Sequence, residues 1–345
     1  MAKNKPAGLS DYQKEPLKRR DFIIQGATAV GIASAAAYLV LAPENFPLSL
    51  KDESGLRSQP TPEVFQLPDF RVAKPTGGVD VGIGRTGEMR TLLKKALDAI
   101  GGITHYIKPG DVVLVKPNVA FDRAPHLGAT THPDIMEALV QMLLVDCRAA
   151  EVRVTDNPIE SPADSFAKSG VRKAVEQAGG QIYLPDSNAF RVLSTPGAKL
   201  IENWPSLYRP FNSVNKVIGV AAVKDHNLCQ ASLGIKNWYG LLGGQRNQFH
   251  QDIHEIISDL SLMIRPTLSI LDGTRMLMRH GPTGGNPADV KKGNSVIVGT
   301  DPVGMDAWAY KNLLEREDEL PAYLHKSEEK GTGKIDLTGR LKEVV

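Results

Sequence analysis

From residue 79 onward the chain alternates two hydrophobic rhythms: short unbroken runs of β-branched residues, and longer stretches with apolar positions three and four apart. The first reads as strand and the second as helix. Residues 79–83 are expected to form a short strand. Residues 88–100 are expected to form a helix with Leu92, Leu93, Ala96, Leu97 and Ile100 on one face. The run DVVLV at 111–115 is a strand covered on both faces. Pro133, placed for a first helical position, opens a helix to about residue 145. A strand at 151–155, a helix at 163–178 and a strand at 181–184 follow, then a less regular stretch at 190–213. KVIGVAAV at 216–223 is again a buried strand. A helix at 250–263, strands at 267–271 and 295–299, and a helix at 302–314 capped by Asp301 complete the pattern. Strands alternating with helices imply an α/β fold with a largely parallel, helix-flanked, Rossmann-like sheet. The segment 77–345 forms one such domain, or two lobes over 77–190 and 191–345.

In such sheets ligands bind beyond the carboxyl ends of the strands. Those ends are polar here: Lys116-Pro117-Asn118, Asp156-Asn157-Pro158, Lys224-Asp225-His226-Asn227, Asp272-Gly273 and Thr300-Asp301. One such residue is usually a cap or turn former; five in succession predict a shared polar pocket. Ser232-Leu233-Gly234-Ile235-Lys236-Asn237 supplies a second Lys-Asn pair. Gly281-Pro282-Thr283-Gly284-Gly285 offers backbone N–H groups for an anion but lacks the Gly-Lys-Ser/Thr ending of an ATP-binding loop. Paired lysines and amides suit a small carboxylate or phosphate. The alternative is that Lys116 and Lys236 are solvated or pair with Asp156 and Asp272.

The expected ligand-binding set is Asn118, His132, Asp156, Lys224, Asn237, Gly284 and Gly285, with His250, Lys236 and Lys116 as candidate catalytic groups. His250 and His254 are spaced i, i+4, one helix face, as in many metal sites. The segment reads His-Gln-Asp-Ile-His, without the glutamate of a zinc-protease helix. A divalent metal would therefore need further ligands, for which His226, Asp272, Asp225 and His132 are candidates. Gly82-Ile83-Gly84-Arg85-Thr86-Gly87 matches the dinucleotide fingerprint literally. The second strand, however, ends in Lys116 rather than in the acid that would hold a ribose. A dinucleotide-dependent oxidoreductase ranks third among the readings. No Gly-x-Ser-x-Gly elbow occurs.

The N-terminal region has another character. A Lys-rich head leads into Lys18-Arg19-Arg20-Asp21-Phe22, then 21 uncharged residues, Phe22 to Ala42. This is the layout of a twin-arginine export signal over 1–43, with the twin-arginine translocase as partner and a periplasmic or other extracytoplasmic destination. Ala35-Ala36-Ala37 offers a cleavage site; an uncleaved inner-membrane anchor is the alternative. Residues 44–76, rich in Pro, Ser and acidic residues, form a linker or a segment wrapping the domain. Residues 1–43 carry a net +3 and the whole chain +2, leaving −1 for 44–345. That body has no electrostatic footprint for nucleic acid. Cys147 and Cys229 stand outside any Cys-x-x-Cys pattern, so this chain alone binds no iron–sulfur cluster or c-type haem.

Several short motifs recur in one order: Val-Lys-Pro-Asn-Val at 115–119, Thr-Thr-His-Pro at 130–133, Gly-Ile-Lys-Asn-Trp-Tyr-Gly at 234–240, His250, Asp272-Gly273, Gly281-Pro282 and Asp301-Pro302 with Asp306-Ala307. Together they resemble domain-of-unknown-function family three-six-two, over about residues 79–340. The resemblance implies an α/β domain often associated with ferredoxin-type modules, hence a redox partner protein, and it brings no assigned reaction. The resulting expectation is an exported α/β protein whose strand-end pocket binds a small anion, with or without a metal, in a redox or cofactor-handling setting. A non-catalytic accessory subunit of an exported respiratory complex is the second reading.

Overall fold

Runs that are apolar at every position must be covered on both faces, and that requirement shapes the domain. The computed structural model describes residues 64–345; the expected export signal over 1–43 and residues 44–63 of the expected linker lie outside the described residues. The strands are β1 (Val81–Arg85), β2 (Val112–Pro117), β3 (Glu151–Val154), β4 (Gln181–Ile182), β5 (Phe190–Ser194), β6 (Asn203–Leu207), β7 (Lys216–His226), β8 (Gln230–Ser232), β9 (Leu268–Leu277), β10 (Val290–Lys292), β11 (Ser295–Gly299) and β12 (Leu341–Val344). Ten of them join one sheet in the order β12-β1-β11-β9-β7-β2-β3-β4, with β8 beside β7 and β10 beside β9. The run β9-β7-β2-β3-β4 is parallel throughout. The fold is thus α/β with a largely parallel central sheet, and strands from both 77–190 and 191–345 enter that one sheet.

Side-chain alternation sorts the strand residues into two layers. Val113 and Val115 join Leu93, Leu97, Ile135 and Leu139 of the helices Met89–Ala99 and Pro133–Gln141. Leu114 faces the other way, into the layer of Trp238, Ile256 and Leu260 from the helix Ile253–Met263. Gly82 and Gly84 lie inside β1, where a Cβ would come within 2.2 Å of the Ala96 carbonyl oxygen and 2.1 Å of that of Leu92. The literal dinucleotide fingerprint is therefore used to seat a helix on a strand.

Five expected elements differ. The helix at 163–178 is two, Pro162–Lys168 and Val171–Gln177, divided at Gly170 with φ 76°. The irregular stretch contains the hairpin β5–β6. The helix at 250–263 is broken: a 3-10 segment, Arg246–Asp252, gives way to Ile253–Met263, and Asp252 leaves helical geometry at φ −132°, ψ 63° to cap the second piece. Strands β7 and β9 run past their expected ends and carry the polar residues with them. Asp301 caps the helix Pro302–Asn312 as expected, accepting from the Val303 and Gly304 amides. The described part of the linker packs on the domain, with Phe70 buried and its amide donating to the Arg265 carbonyl. Cys147 and Cys229 are unpaired and buried. Among the described residues no helix is long and apolar enough to cross a membrane.

Candidate functional site

Three neighbouring parallel strands, β3, β2 and β7, deliver polar side chains to one edge of the sheet. β2 brings Lys116, the turn after β3 brings Asp156, and β7 brings Lys224 and His226. Because side chains alternate along a strand, Lys224 and His226 share one face while Asp225 points away. Asp225 meets Arg316 at 2.6 Å and accepts from the Gly281 amide. Segment 234–250 closes the other side with Lys236, Asn237, Tyr239, Gly240, Arg246 and His250.

The centre is a buried ion pair. Lys116 and Asp156, each 1% exposed, meet at 2.8 Å. Asp156 also accepts from the amides of Val119 and Asn157. The Lys116 ammonium donates to the Pro117 carbonyl and to Asn237 Oδ1, both at 2.8 Å, and so uses all its protons. Asn237 Oδ1 accepts in turn from Asn118 Nδ2. Asn118 Oδ1 accepts from Lys224 at 2.9 Å, and Lys224 reaches the Ala129 carbonyl at 2.7 Å. Among the described residues Lys224 thus has two acceptors, no carboxylate and one ammonium proton without a hydrogen-bond acceptor, with the centre of the Phe121 ring 5.2 Å away. Lys236 differs again. Among the described residues no hydrogen bond or carboxylate engages its ammonium, which stands 5.2 Å from the centre of the Tyr239 ring. Among the described residues Arg246 donates only to carbonyl oxygens, those of Tyr239, Leu242, Asn157 and Pro158.

Gly240 makes the centre possible. A Cβ there would lie 1.9 Å from Asp156 Oδ1 and 2.6 Å from Lys116 Nζ. At the start of the same segment, Asp306 accepts from the amides of Gly234 and Ile235 and fixes the short turn that carries Lys236 and Asn237. Burial raises the Asp306 pKa to about 7 despite those two donors.

Four cationic side chains line the cavity against one carboxylate, and burial penalises each charge. Burial, followed by the charge of Lys236, brings Lys224 down to about 7. Burial brings Lys116 to about 8, with Asp156 opposing the fall. The Lys236 pKa is lowered by burial as well. Burial, then Lys236 and Lys224, drive His226 to about 2, so its imidazole is neutral. Its Nδ1 accepts from the Leu228 amide, which leaves the proton on Nε2. His250 holds the opposite tautomer, with Nδ1 3.0 Å from the Asn247 carbonyl oxygen. That oxygen can only accept, so Nδ1 carries a proton, and in the neutral ring the lone pair is on Nε2. The cavity therefore has one neutral N–H donor and one imidazole base. Its open space is about 80 Å³ measured at the centres of water molecules. One water needs roughly 10–15 Å³ on that measure, so the room suits a compound of few atoms.

The pocket gathers Lys116, Asn118, Asp156, Lys224, His226, Lys236, Asn237 and His250 from the expected set. His132, Asp272, His254, Gly284 and Gly285 lie elsewhere. Asp272 is inside β9, where its carboxylate accepts from the His132 amide and from the amide and hydroxyl of Thr274. His132 caps the helix Pro133–Gln141, its Nε2 2.6 Å from Arg275. The break at Asp252 takes His254 off the face of His250, and its ring stacks with Tyr323 at 6.3 Å. Of the loop 281–285 only Pro282 reaches the cavity; Gly284 packs against Leu277. Asp301 stands at the opposite sheet edge because β11 runs antiparallel to β9. Thus the set His250, His254, His226 and Asp272 is not assembled, and no group of three metal-ligating side chains occurs among the described residues. Sequence reasoning missed Arg246 and the supporting Tyr239, Gly240 and Asp306. The last three sit in the recurrent motifs; Arg246 carries no local signal.

Comparison with known proteins places this architecture. A thylakoid-associated protein of Synechocystis sp. is 27% identical over 221 residues, covering 59% of this chain. The chain spans 64% of that relative's length. Among solved structures, the lactate racemase apoprotein from Thermoanaerobacterium thermosaccharolyticum aligns with a TM-score of 0.35 at 14% identity, over 61% of this chain and 53% of that one. A Thermotoga maritima protein aligns with a TM-score of 0.33 at 13% identity, over 71% and 58%. The family described as Domain of unknown function (DUF362) matches residues 113–311, from β2 through the helix that carries Asp306. The chain belongs to that family.

Proposed function

We propose that the protein is an enzyme that binds a small organic anion, a carboxylate above all, and moves a proton on it. The carrying observation is the imbalance of charge: Lys116, Lys224, Lys236 and Arg246 against Asp156 around a cavity of about 80 Å³. Lys116 is consumed by Asp156, so the free proton of Lys224 supplies the anion's contact, with Lys236 beside it and without a carboxylate partner among the described residues. Each charged hydrogen bond is worth about 1.5–3 kcal/mol. The His226 Nε2–H is a further donor that stays neutral, suited to an oxygen on which charge develops. His250 Nε2 is the base. The setting we propose is extracytoplasmic, supported by Arg19-Arg20 ahead of the uncharged run. The name of the thylakoid-associated relative fits work beside a membrane.

Titration calorimetry with acetate, glyoxylate, lactate and phosphate from pH 6 to 9 tests the reading. An anion prefers protonated Lys224, whose folded pKa is about 7. Affinity is therefore full below that value and should fall roughly tenfold per pH unit above it, with proton uptake on binding. Lys224→Met should weaken binding and flatten this dependence. No saturable binding by any of the four at pH 6 would refute the proposal.

A further inference from the structure

Lys236 is the cavity's chemically idle lysine. Its neighbours explain why it does not serve simply as another clamp. Asp156, the carboxylate lining the cavity, is already held by Lys116 and two amides. The cations Lys116, Lys224 and Arg246 share the space, and Tyr239 presents its ring face rather than its hydroxyl, which donates to the Arg246 carbonyl. Burial among other cations and without a counter-ion disfavours the ammonium form when no anion is bound. Lysines next to other cationic groups become nucleophiles in this way. The direction of its pKa shift agrees.

We infer that Lys236 forms an imine with a small carbonyl acid, a 2-oxo carboxylate, whose carboxylate is held by Lys224; the inference rests on the anion-binding reading of the same pocket. The Lys236 nitrogen lone pair attacks the carbonyl carbon, forming the C–N bond while the C–O π electrons move to oxygen. The His226 Nε2–H donates a hydrogen bond to that oxygen without giving up its proton. His250 Nε2 takes a proton from the nitrogen and returns it to the oxygen, giving a neutral carbinolamine. Loss of the remaining nitrogen proton and the hydroxyl group as water then leaves C=N. One amine and one carbonyl become one imine and one water, with no change of oxidation state. Glyoxylate, the smallest such acid, suits the dimensions of the cavity.

The test uses the full chain, glyoxylate and cyanoborohydride, which reduces an imine to a stable carboxymethyl-lysine, followed by peptide mass mapping. A single adduct at Lys236, suppressed by excess acetate and absent from Lys236→Met, is the expected result. Adducts spread over surface lysines such as Lys94 and Lys173, with Lys236 unmodified, would overturn it. Should the variant fail to fold, the position of the adduct in the unaltered protein still decides. Acetate binding in the calorimeter separates the two failures. Saturable acetate binding without trapping removes the imine and leaves the anion site; absence of both removes both.

Discussion

Lys116 and Lys236 look alike in the sequence, each beside or near an asparagine, yet replacing them should have opposite consequences for stability. Lys116→Met leaves the Asp156 carboxylate 1% exposed and without its cation. Breaking a buried pair from one side typically costs about 3–5 kcal/mol. Two features place the cost at the lower end: Asp156 keeps the amides of Val119 and Asn157, and Met preserves most of the side-chain volume. The Pro117 carbonyl and Asn237 Oδ1 each lose a donor as well. A loss of about 3 kcal/mol is expected. Lys236→Met removes a buried charge that nothing in the described structure compensates, so the fold should become as stable or more stable. Urea unfolding at pH 7, followed by the fluorescence of Trp204, Trp238 and Trp308, measures both through the midpoint at constant slope. Asp156→Asn completes a double-mutant cycle with Lys116→Met, for which a coupling of about 1–3 kcal/mol is expected. If Lys236→Met proved as destabilising as Lys116→Met, Lys236 would be an ion-pair strut, and the argument from a free cation would fail.

Gly240→Ala should disrupt the same centre from the backbone side. Its Cβ would overlap Asp156 Oδ1, so an overpacking cost of about 1–3 kcal/mol and weaker acetate binding are expected in thermal unfolding and calorimetry; a variant with unchanged melting and affinity would contradict the close approach. Replacing Arg19 and Arg20 together by Lys should leave the full-length chain in the cytoplasm, because the export receptor reads the planar guanidinium pair rather than charge; export at the normal level on cell fractionation would dispose of the twin-arginine reading.

The order of the main strands and helices was legible from periodicity, down to the cap at Asp301, because runs such as DVVLV and KVIGVAAV have few other physical solutions. The ends of β7 and β9 were not. A polar residue after an apolar run looks like the start of a loop, whereas Lys224 and His226 continue β7 as alternating positions facing a cavity. The same rule would have separated Asp225 from them, had the strand been extended. Asp272 could not be placed from sequence, since its partners are 140 residues away at His132 and next door at Thr274. Strand direction was also hidden: nothing local to Thr300-Asp301 says that β11 runs against β9, and that sense alone sends Asp301 to the opposite edge.

The histidine spacing failed to assemble a metal face for a local reason with a wider lesson. An i, i+4 pair shares a face only if the helix is continuous between its members. Asp252 is a strong cap former, and it ends one helical segment and begins another between His250 and His254. His250 is thereby left on a 3-10 turn whose Asn247 carbonyl fixes its tautomer, while His254 turns to Tyr323. The two lysine–asparagine motifs diverge by the same logic of what each side chain meets. Asn237 spends its amide on Lys116, through both its oxygen and its nitrogen, the latter reaching the Lys116 carbonyl. That commitment ties segment 234–240 to β2 and makes Lys116 part of the scaffold. Lys236, one residue earlier on the same short turn, necessarily projects in another direction, over Tyr239 and into the cavity. One asparagine thus assigns one lysine to structure and leaves its neighbour available for chemistry.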